Sequence, residues 1–176
     1  EVQIAEPQVP PCEEWSTMEK LAKEKEVVGI YISGHPLDDY KFEMKYFCNT
    51  NLEGLKNLEQ QVGNNLSFGG IVTNVQHRTA KNGKGWATFV VEGYDESFEF
   101  RIFDEEYLKF RHFLLQNQFA YFKITVKEGW VNRETGKKSD PRIQFLDAKM
   151  LADVLPTFAK KLILQLAINE VKEGVI

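Results

Sequence analysis

The sequence predicts a mainly β domain in which five short strands are interrupted by one helix, placed between the third strand and the fourth. Five stretches alternate apolar with polar residues or concentrate β-branched and aromatic side chains, as strands do. These stretches are residues 66–77, 86–92, 97–103, 118–128 and 141–148. The order β-β-β-α-β-β is the connectivity of the OB-fold, a small and partly open five-stranded barrel. We therefore expect residues 66–153 to form an OB-fold domain.

Two helices are expected ahead of the strands. Residues 1–15 contain three of the six prolines and show no periodic spacing of hydrophobic residues, which predicts an extended linker. Ser16 followed by Glu19 is typical of a capping box, and the apolar spacing behind it predicts a helix over residues 16–32. A second helix is expected over 37–47. The whole segment 16–65 is therefore expected to be helical and to end the region that precedes the OB-fold domain.

The stretch 104–115 predicts the one helix inside the domain. Tyr107, Phe110 and Leu114 have the spacing of one helical face. Three consecutive acidic residues, 104–106, occupy the first turn, where negative charge complements the helix dipole. Magnesium binding by these acids is the weaker interpretation, because consecutive residues on a helix point in different directions.

The last segment, residues 154–176, is ambiguous. Leucine or isoleucine occupies positions 162, 164, 166 and 168, an alternation that favours a strand. The mixture of leucine and alanine also suits a buried helix. We favour the strand, and we expect this segment to be the truncated start of a further domain.

Composition places the chain among globular proteins and argues against several functions. Hydrophobic residues make up 43% and charged residues 27% of the 176 positions, which excludes a disordered or low-complexity chain. No uncharged apolar run approaches the ~18 residues that cross a bilayer, so we expect a cytoplasmic protein without membrane contact. Two cysteines and three scattered histidines form no ligand set, so neither a metal nor another cofactor is expected.

The charge distribution leaves nucleic acid open as a partner despite a net charge of -4. Residues 1–65 hold six Lys/Arg against twelve Asp/Glu, whereas residues 66–153 hold thirteen against twelve. The basic residues of the second range gather at two loops. The first loop carries Arg78, Lys81 and Lys84, and the second carries Arg133, Lys137 and Lys138. In an OB-fold these are the loops that flank the ligand-binding face.

Aromatic residues accompany both basic loops. Alternation turns Ala87, Phe89 and Val91, with Phe98, Phe100 and Ile102, towards the core. Trp86, Thr88, Arg101 and Phe103 then face outward, where aromatic rings beside cations suit base stacking. We select Trp86 and Arg101 over Phe103, which the helix would alternatively cover. Trp130 stands in the second loop. The plainer alternatives are a solvated hairpin turn for the first loop and a buried Trp130 for the second.

Catalytic patterns are weak. The chain contains no glycine-rich phosphate loop, no Ser-His-Asp arrangement and no CxxC pair. His35 lies in the turn Gly34-His35-Pro36, where a histidine that satisfies backbone groups is more common than a general base. We therefore expect a binding module and not an enzyme.

Two stretches resemble the bacterial replicative DNA polymerase III alpha subunit. Residues 23–40, KEKEVVGIYISGHPLDDY, look like the helix and Gly-His-Pro turn that precede that family's OB domain. Residues 69–114 are similar to the OB domain itself, with its G-x-V opening strand, Thr-x-Lys-x-Gly loop and Y-x-x-F helix in order. The resemblance covers about residues 16–150 and implies a piece of a much larger DNA-directed DNA polymerase, a nucleotidyltransferase.

The resemblance implies a role near the template. In that family the OB domain lies close to single-stranded template, while the catalytic acids belong to an earlier domain. No Asp-x-Asp pair of that kind occurs here, so we do not expect this fragment to synthesise DNA. The expected partners are single-stranded DNA, the remaining polymerase domains and replisome proteins. Two alternatives stay open, a protein-binding scaffold within the replisome and a tRNA anticodon-binding domain, although the latter does not explain the Gly-His-Pro segment.

Overall fold

The computed structural model describes residues 13–131, 136 and 138–161. Most of the expected linker, the strand expected at 162–168 and the loop residues Arg133 and Lys137 lie outside these ranges. The chain forms two compact units, residues 1–39 and 40–176, and each is described by itself. Among the described residues, no helix has the length and apolar character needed to cross a membrane.

The first unit is built on helix α1, Thr17–Val28. The expected capping box is confirmed, because the Ser16 hydroxyl accepts from the Glu19 amide while the Glu19 carboxylate accepts from the Ser16 amide. The Ser16 hydroxyl also donates to the Glu19 carboxylate at 2.8 Å, and this bond, followed by the one from the Ser16 amide, holds the pKa of Glu19 below its ordinary value. The helix ends four residues earlier than predicted, because Gly29 adopts a left-handed φ of 86° and its amide donates to the Lys25 carbonyl.

The turn that follows α1 is tied back to the helix. The Glu24 carboxylate accepts from the amides of Ile32 and Ser33, each at 2.9 Å, and from the Ser33 hydroxyl. The Ser33 hydroxyl is the first cause of the lowered pKa of Glu24. His35 accepts from the Leu37 amide at 3.1 Å through Nδ1, which confirms its expected role as a turn residue.

The helix expected at 37–47 is two elements. Pro36–Tyr40 is a 3-10 helix, and α2, Lys41–Phe47, follows it. Two further 3-10 turns, Glu53–Leu55 and Leu58–Gln61, lead into the first strand. Leu52 and Leu55 are fully buried in the same hydrophobic cluster as the strands. Part of the segment expected to end the preceding region therefore packs against the sheet.

The five strands are β1 Asn65–Thr79, β2 Gly85–Glu92, β3 Ser97–Phe103, β4 Gln118–Lys127 and β5 Arg142–Met150. They form one antiparallel sheet in the order β3-β2-β1-β4-β5. Helix α3, Asp104–Phe110, lies between β3 and β4 and continues as the 3-10 turn Arg111–Phe113. The five strands and the intervening helix are thus as predicted. Among the described residues, no pairing joins β3 to β5.

Strand β1 pairs with two neighbouring strands along different parts of its length. Its first half pairs with β4 from Asn65 to Val72, and its second half pairs with β2 from Ile71 to Thr79. The register shifts between Thr73 and Gln76, and Asn74 there has a φ of 48°. Such an irregularity bends a strand, so β1 leaves β4 and continues along β2 alone.

The core is a cluster of phenylalanines from all five strands. Phe100 lies 5.2 Å from Phe68, 5.5 Å from Phe89 and 5.7 Å from Phe145, measured between ring centroids. The residues expected to face inward on β2 and β3 are buried, apart from Phe98, which is half-buried. The predicted inward faces of β2 and β3 are therefore confirmed.

Helix α3 contacts two strands that are not neighbours in the sheet, β2 and β5. The Tyr107 ring packs over Gly85 of β2, so closely that a Cβ on Gly85 would lie 2.4 Å from it. On the other side, the Glu106 carboxylate accepts from the Phe145 amide of β5 at 3.1 Å. Glu106 therefore satisfies an edge group of the sheet, beyond the dipole role expected from its position.

Replacing Gly85 with alanine is expected to lower the free energy of unfolding by about 1–3 kcal/mol, because the added methyl displaces the Tyr107 ring. Urea denaturation monitored by circular dichroism measures this change. The control is the same substitution in a Tyr107→Ala background, where the methyl has room and the additional cost should nearly vanish. An equal cost in both backgrounds would contradict the packing explanation.

A fourth helix was not predicted from the sequence. Helix α4, Leu151–Phe158, follows β5 directly and buries Leu151 and Val154. Apolar residues at positions 151, 154, 155 and 158 have helical spacing, and Pro156 lies inside the helix. The helix crosses residue 154, where the last segment was expected to begin. The expected division 1–15, 16–65, 66–153 and 154–176 remains a prediction.

Candidate nucleic-acid interface

The outer face of the sheet carries three stacked side chains in one row across β1, β2 and β3. Arg78 pairs in register with Trp86, and Trp86 pairs with Phe103. The Trp86 and Phe103 rings are stacked with centroids 5.7 Å apart and an angle of 18° between their planes. The Arg78 guanidinium carbon lies 5.4 Å from the Trp86 ring centroid. We call these three residues the aromatic platform.

The platform is open to solvent. Phe103 is 52% exposed and Trp86 is half-buried, so α3 does not cover Phe103 as one interpretation of the sequence had it. A large exposed aromatic ring on a sheet face is a surface on which a planar ligand can stack. The partner of Arg78 outside the platform is Gln76, whose side-chain oxygen accepts from Nη2 at 2.7 Å.

Arg101 lies in the next row of the same face, in register with Thr88. Its Nη2 forms an ion pair with Glu99 Oε1 at 3.3 Å, and both side chains are more than half exposed. Two residues on one strand separated by one position share a face, which explains the pairing. Arg101 is therefore accessible, but its charge is partly compensated by its own strand.

The first basic loop is a tight turn between Thr79 and Gly85. The Ala80 amide donates to the Lys84 carbonyl at 2.8 Å, and Gly83 takes a φ of 80°. Lys84 Nζ reaches Asp104 Oδ2 at 3.0 Å. Lys81 has no hydrogen-bond or ion-pair partner among the described residues. The loop therefore has the geometry of a hairpin turn, as the plainer interpretation expected. Among the described residues, the Lys81 ammonium group in this turn is also unpaired.

The second loop presents an exposed tryptophan. Trp130 is 76% exposed, so the alternative of a buried Trp130 is wrong. Its amide donates to Ser139 Oγ at 2.7 Å, and its carbonyl accepts from the Ser139 amide at 2.8 Å. Lys138 Nζ pairs with Glu128 Oε2 at 3.2 Å. Of the residues selected in this loop, Trp130 and Lys138 are described, whereas Arg133 and Lys137 are not.

A groove of about 720 Å³ runs between β3, α3 and the start of β5. Its lining includes two of the predicted binding residues, Lys84 and Arg101, and one residue of the aromatic platform, Phe103. A smaller depression of about 390 Å³ contains Lys138 and shares Pro141 with the groove. The charges along the larger groove are mixed. Its lining contains three basic residues, Lys84, Arg101 and Arg142, and four acidic residues, Glu99, Asp104, Glu105 and Glu106.

Three functional candidates were missed or set aside at the sequence level. Alternation placed Phe103 outward, yet only the strand register shows that it stacks on Trp86. The carboxylates of Glu99 and Asp104 form ion pairs with two of the predicted binding residues, Arg101 and Lys84 respectively. The Glu99 pairing could have been found from its spacing on the strand, whereas Asp104 lies twenty residues from Lys84 and gives no local signal.

The groups described here suit binding by stacking and by charge. Among the described residues, no three His, Cys, Asp or Glu side chains gather in a metal-binding group. Cys48 is half-buried, and the desolvation of its thiol raises the pKa of Cys48 to about 12. A thiol with this pKa stays protonated near neutral pH and is a poor nucleophile.

The fold and this surface define a class, a five-stranded antiparallel β-sheet domain with stacked aromatic and basic side chains on an open face. No protein-family model matches the chain. The chain is nonetheless similar to several curated DNA polymerase III alpha subunits. The chain is 30% identical over 123 residues to that of Saccharopolyspora erythraea, 36% over 104 residues to that of Borreliella burgdorferi, and 37% over 98 residues to that of Campylobacter jejuni.

This chain is a homologue of one region of bacterial DNA polymerase III alpha subunits. The resemblance found in its sequence is thereby confirmed. The three matches cover 68%, 58% and 54% of this chain but only 10%, 9% and 8% of the respective relatives. The chain therefore spans about a tenth of the length of the curated relatives that it matches.

Proposed function

We propose that this chain is a non-catalytic OB-fold module of a replicative DNA polymerase and that it binds or guides single-stranded template during DNA replication. The observation that carries the proposal is the aromatic platform, with Trp86 and Phe103 stacked on an open sheet face beside Arg78. Homology to DNA polymerase III alpha subunits supplies the replication context.

The strand order supports an OB-fold. A barrel of this type has five strands, one helix between the third and fourth strands, and a ligand face on strands 2 and 3. The observed order β3-β2-β1-β4-β5 leaves β3 and β5 as the two edges, and a pairing between these two strands would close the barrel. Phe145 of β5 already meets Phe100 of β3 across the core at 5.7 Å. We infer a barrel that is open between these edges.

In the proposed binding mode, aromatic rings contact the bases and basic side chains contact the phosphates. Bases would stack on Trp86 and Phe103, with Trp130 as a second support. Phosphates would contact Arg78, Lys81, Lys84 and Arg101, together with the basic residues selected in the second loop, Arg133, Lys137 and Lys138. Lys81 has no partner to displace among the described residues, whereas Lys84 and Arg101 must exchange a carboxylate for a phosphate. The isolated fragment is therefore expected to bind weakly.

The test is a titration of the protein against labelled oligo(dT), duplex DNA and tRNA at several salt concentrations. Single-stranded DNA is expected to bind best, and log K should fall with log salt by about 0.7 for each phosphate contact. Preference for tRNA would favour the anticodon-binding alternative. No binding to any of the three would contradict the proposed function, and a flat salt response would contradict its electrostatic part.

Changing both Lys81 and Lys84 to glutamate is expected to weaken oligo(dT) binding by about tenfold or more, because each lost phosphate contact becomes a repulsion. Folding should barely change, since exposed charges contribute within about 0.5 kcal/mol. Fluorescence anisotropy at fixed salt measures the affinity. The control is Lys45→Glu with Lys56→Glu, which changes the net charge equally but alters exposed lysines outside the sheet face. Equal losses in the two double variants would show that only net charge matters.

A protein-binding scaffold is the second candidate, and one surface favours it. Phe42 and Tyr46 of α2 are 52% and 61% exposed, with ring centroids 4.6 Å apart. Exposed aromatic pairs of this kind are common at protein interfaces. In either case we propose a cytoplasmic role, with the remaining domains of a longer polymerase and replisome proteins as partners.

A further inference from the structure

Two cations of the candidate interface are already held by carboxylates of the same surface. Lys84 Nζ lies 3.0 Å from Asp104 Oδ2, and Arg101 Nη2 lies 3.3 Å from Glu99 Oε1. All four residues line the groove between β3, α3 and β5. Each side chain is about half exposed or more, so a ligand can reach the cations. The pairs are therefore accessible and reversible.

We propose that Asp104 and Glu99 are built-in competitors of the phosphate backbone that set the affinity of this interface. The inference rests on the proposed function and adds the residues that tune it. A phosphate that binds Lys84 must displace the Asp104 carboxylate, which then remains beside the ligand as a like charge. The same exchange applies to Arg101 and Glu99. A single strand would thus be held loosely enough to move along the face.

The position of Asp104 supports a specific role. It follows Phe103 of the platform directly and adopts a φ of 48°, a backbone conformation that aspartate and asparagine tolerate better than most residues. Its carboxylate lies against the first basic loop, whereas Glu106 turns to the Phe145 amide of β5. Neighbouring acids of one helix turn therefore have different partners, and Glu105 has none among the described residues.

Asp104→Asn and Glu99→Gln remove the competing charges while they keep the shapes of the side chains. Exposed ion pairs are weak, so each substitution is expected to tighten oligo(dT) binding by about two- to fivefold, and the two together by about four- to twenty-fivefold. The salt slope should also steepen by about 0.7 for each cation that gains a phosphate.

Glu105→Gln is the matched control, because it removes one negative charge from the same helix turn without releasing a cation. A second control places Asp104→Asn in a Lys84→Met background, where no cation remains to be released. The gain should be absent in that background and small in Glu105→Gln.

The outcomes separate this inference from the proposed function. Binding by the original chain with equal gains for Asp104→Asn and Glu105→Gln would overturn the inference, since the effect would then be general repulsion. A gain that persists without Lys84 would overturn it as well. If neither the original chain nor the Asp104→Asn, Glu99→Gln variant binds oligo(dT), the proposed function itself fails.

Discussion

Replacing Phe100 with alanine is expected to lower the free energy of unfolding by about 3–5 kcal/mol, the usual cost of removing a buried phenylalanine. Phe100 is 1% exposed and meets phenylalanines from β1, β2 and β5, so the cavity would have walls on several sides. Small domains are stable by only about 5–15 kcal/mol, and the substitution therefore removes a large part of the total. Chemical denaturation followed by circular dichroism measures the loss.

Phe103→Ala is the matched control, three residues further along the same strand. Its ring is 52% exposed and contacts mainly Trp86, so the expected cost is about 1 kcal/mol or less. The order should reverse for oligo(dT) binding, where Phe103→Ala weakens the complex. Equal stability losses in the two variants would contradict the assignment of the two faces of β3.

Replacing Trp86 with alanine is expected to weaken oligo(dT) binding by about 1–3 kcal/mol, or about 5- to 150-fold, because the ring that supports a base is lost. Stability should change modestly, since Trp86 is half-buried on the outer face and packs on Phe103 and Arg78. Anisotropy titration and denaturation of the same sample give both quantities.

Trp15→Ala provides the control for the loss of a tryptophan. Trp15 is 57% exposed and is not among the residues proposed to bind DNA, so its removal should leave binding unchanged. An unfolded Trp86→Ala protein would show that Trp86 supports the core. Taken with a Lys81→Glu, Lys84→Glu variant that binds as the original chain does, that result would favour the protein-binding scaffold.

Local sequence patterns determined most of the secondary structure. Alternation along residues 86–92 and 97–103 predicted both the strands and their buried faces, because successive side chains of a strand point to opposite sides. Ser16 and Glu19 predicted the start of α1 for an equally local reason. Predictions failed where local signals conflicted. Helix α4 crosses residue 154, where a separate segment was expected to begin, and the expected helix at 37–47 is a 3-10 helix followed by α2.

The sequence by itself also determined the candidate residues, since basic and aromatic side chains concentrate at two loops and on the outward face of two strands. Only the tertiary structure decided which of them act together. The strand register sets Arg78, Trp86 and Phe103 in one row, and the start of α3 sets Asp104 against Lys84. Register and helix placement depend on the packing of the whole core, so residues distant in sequence become neighbours without any local signal.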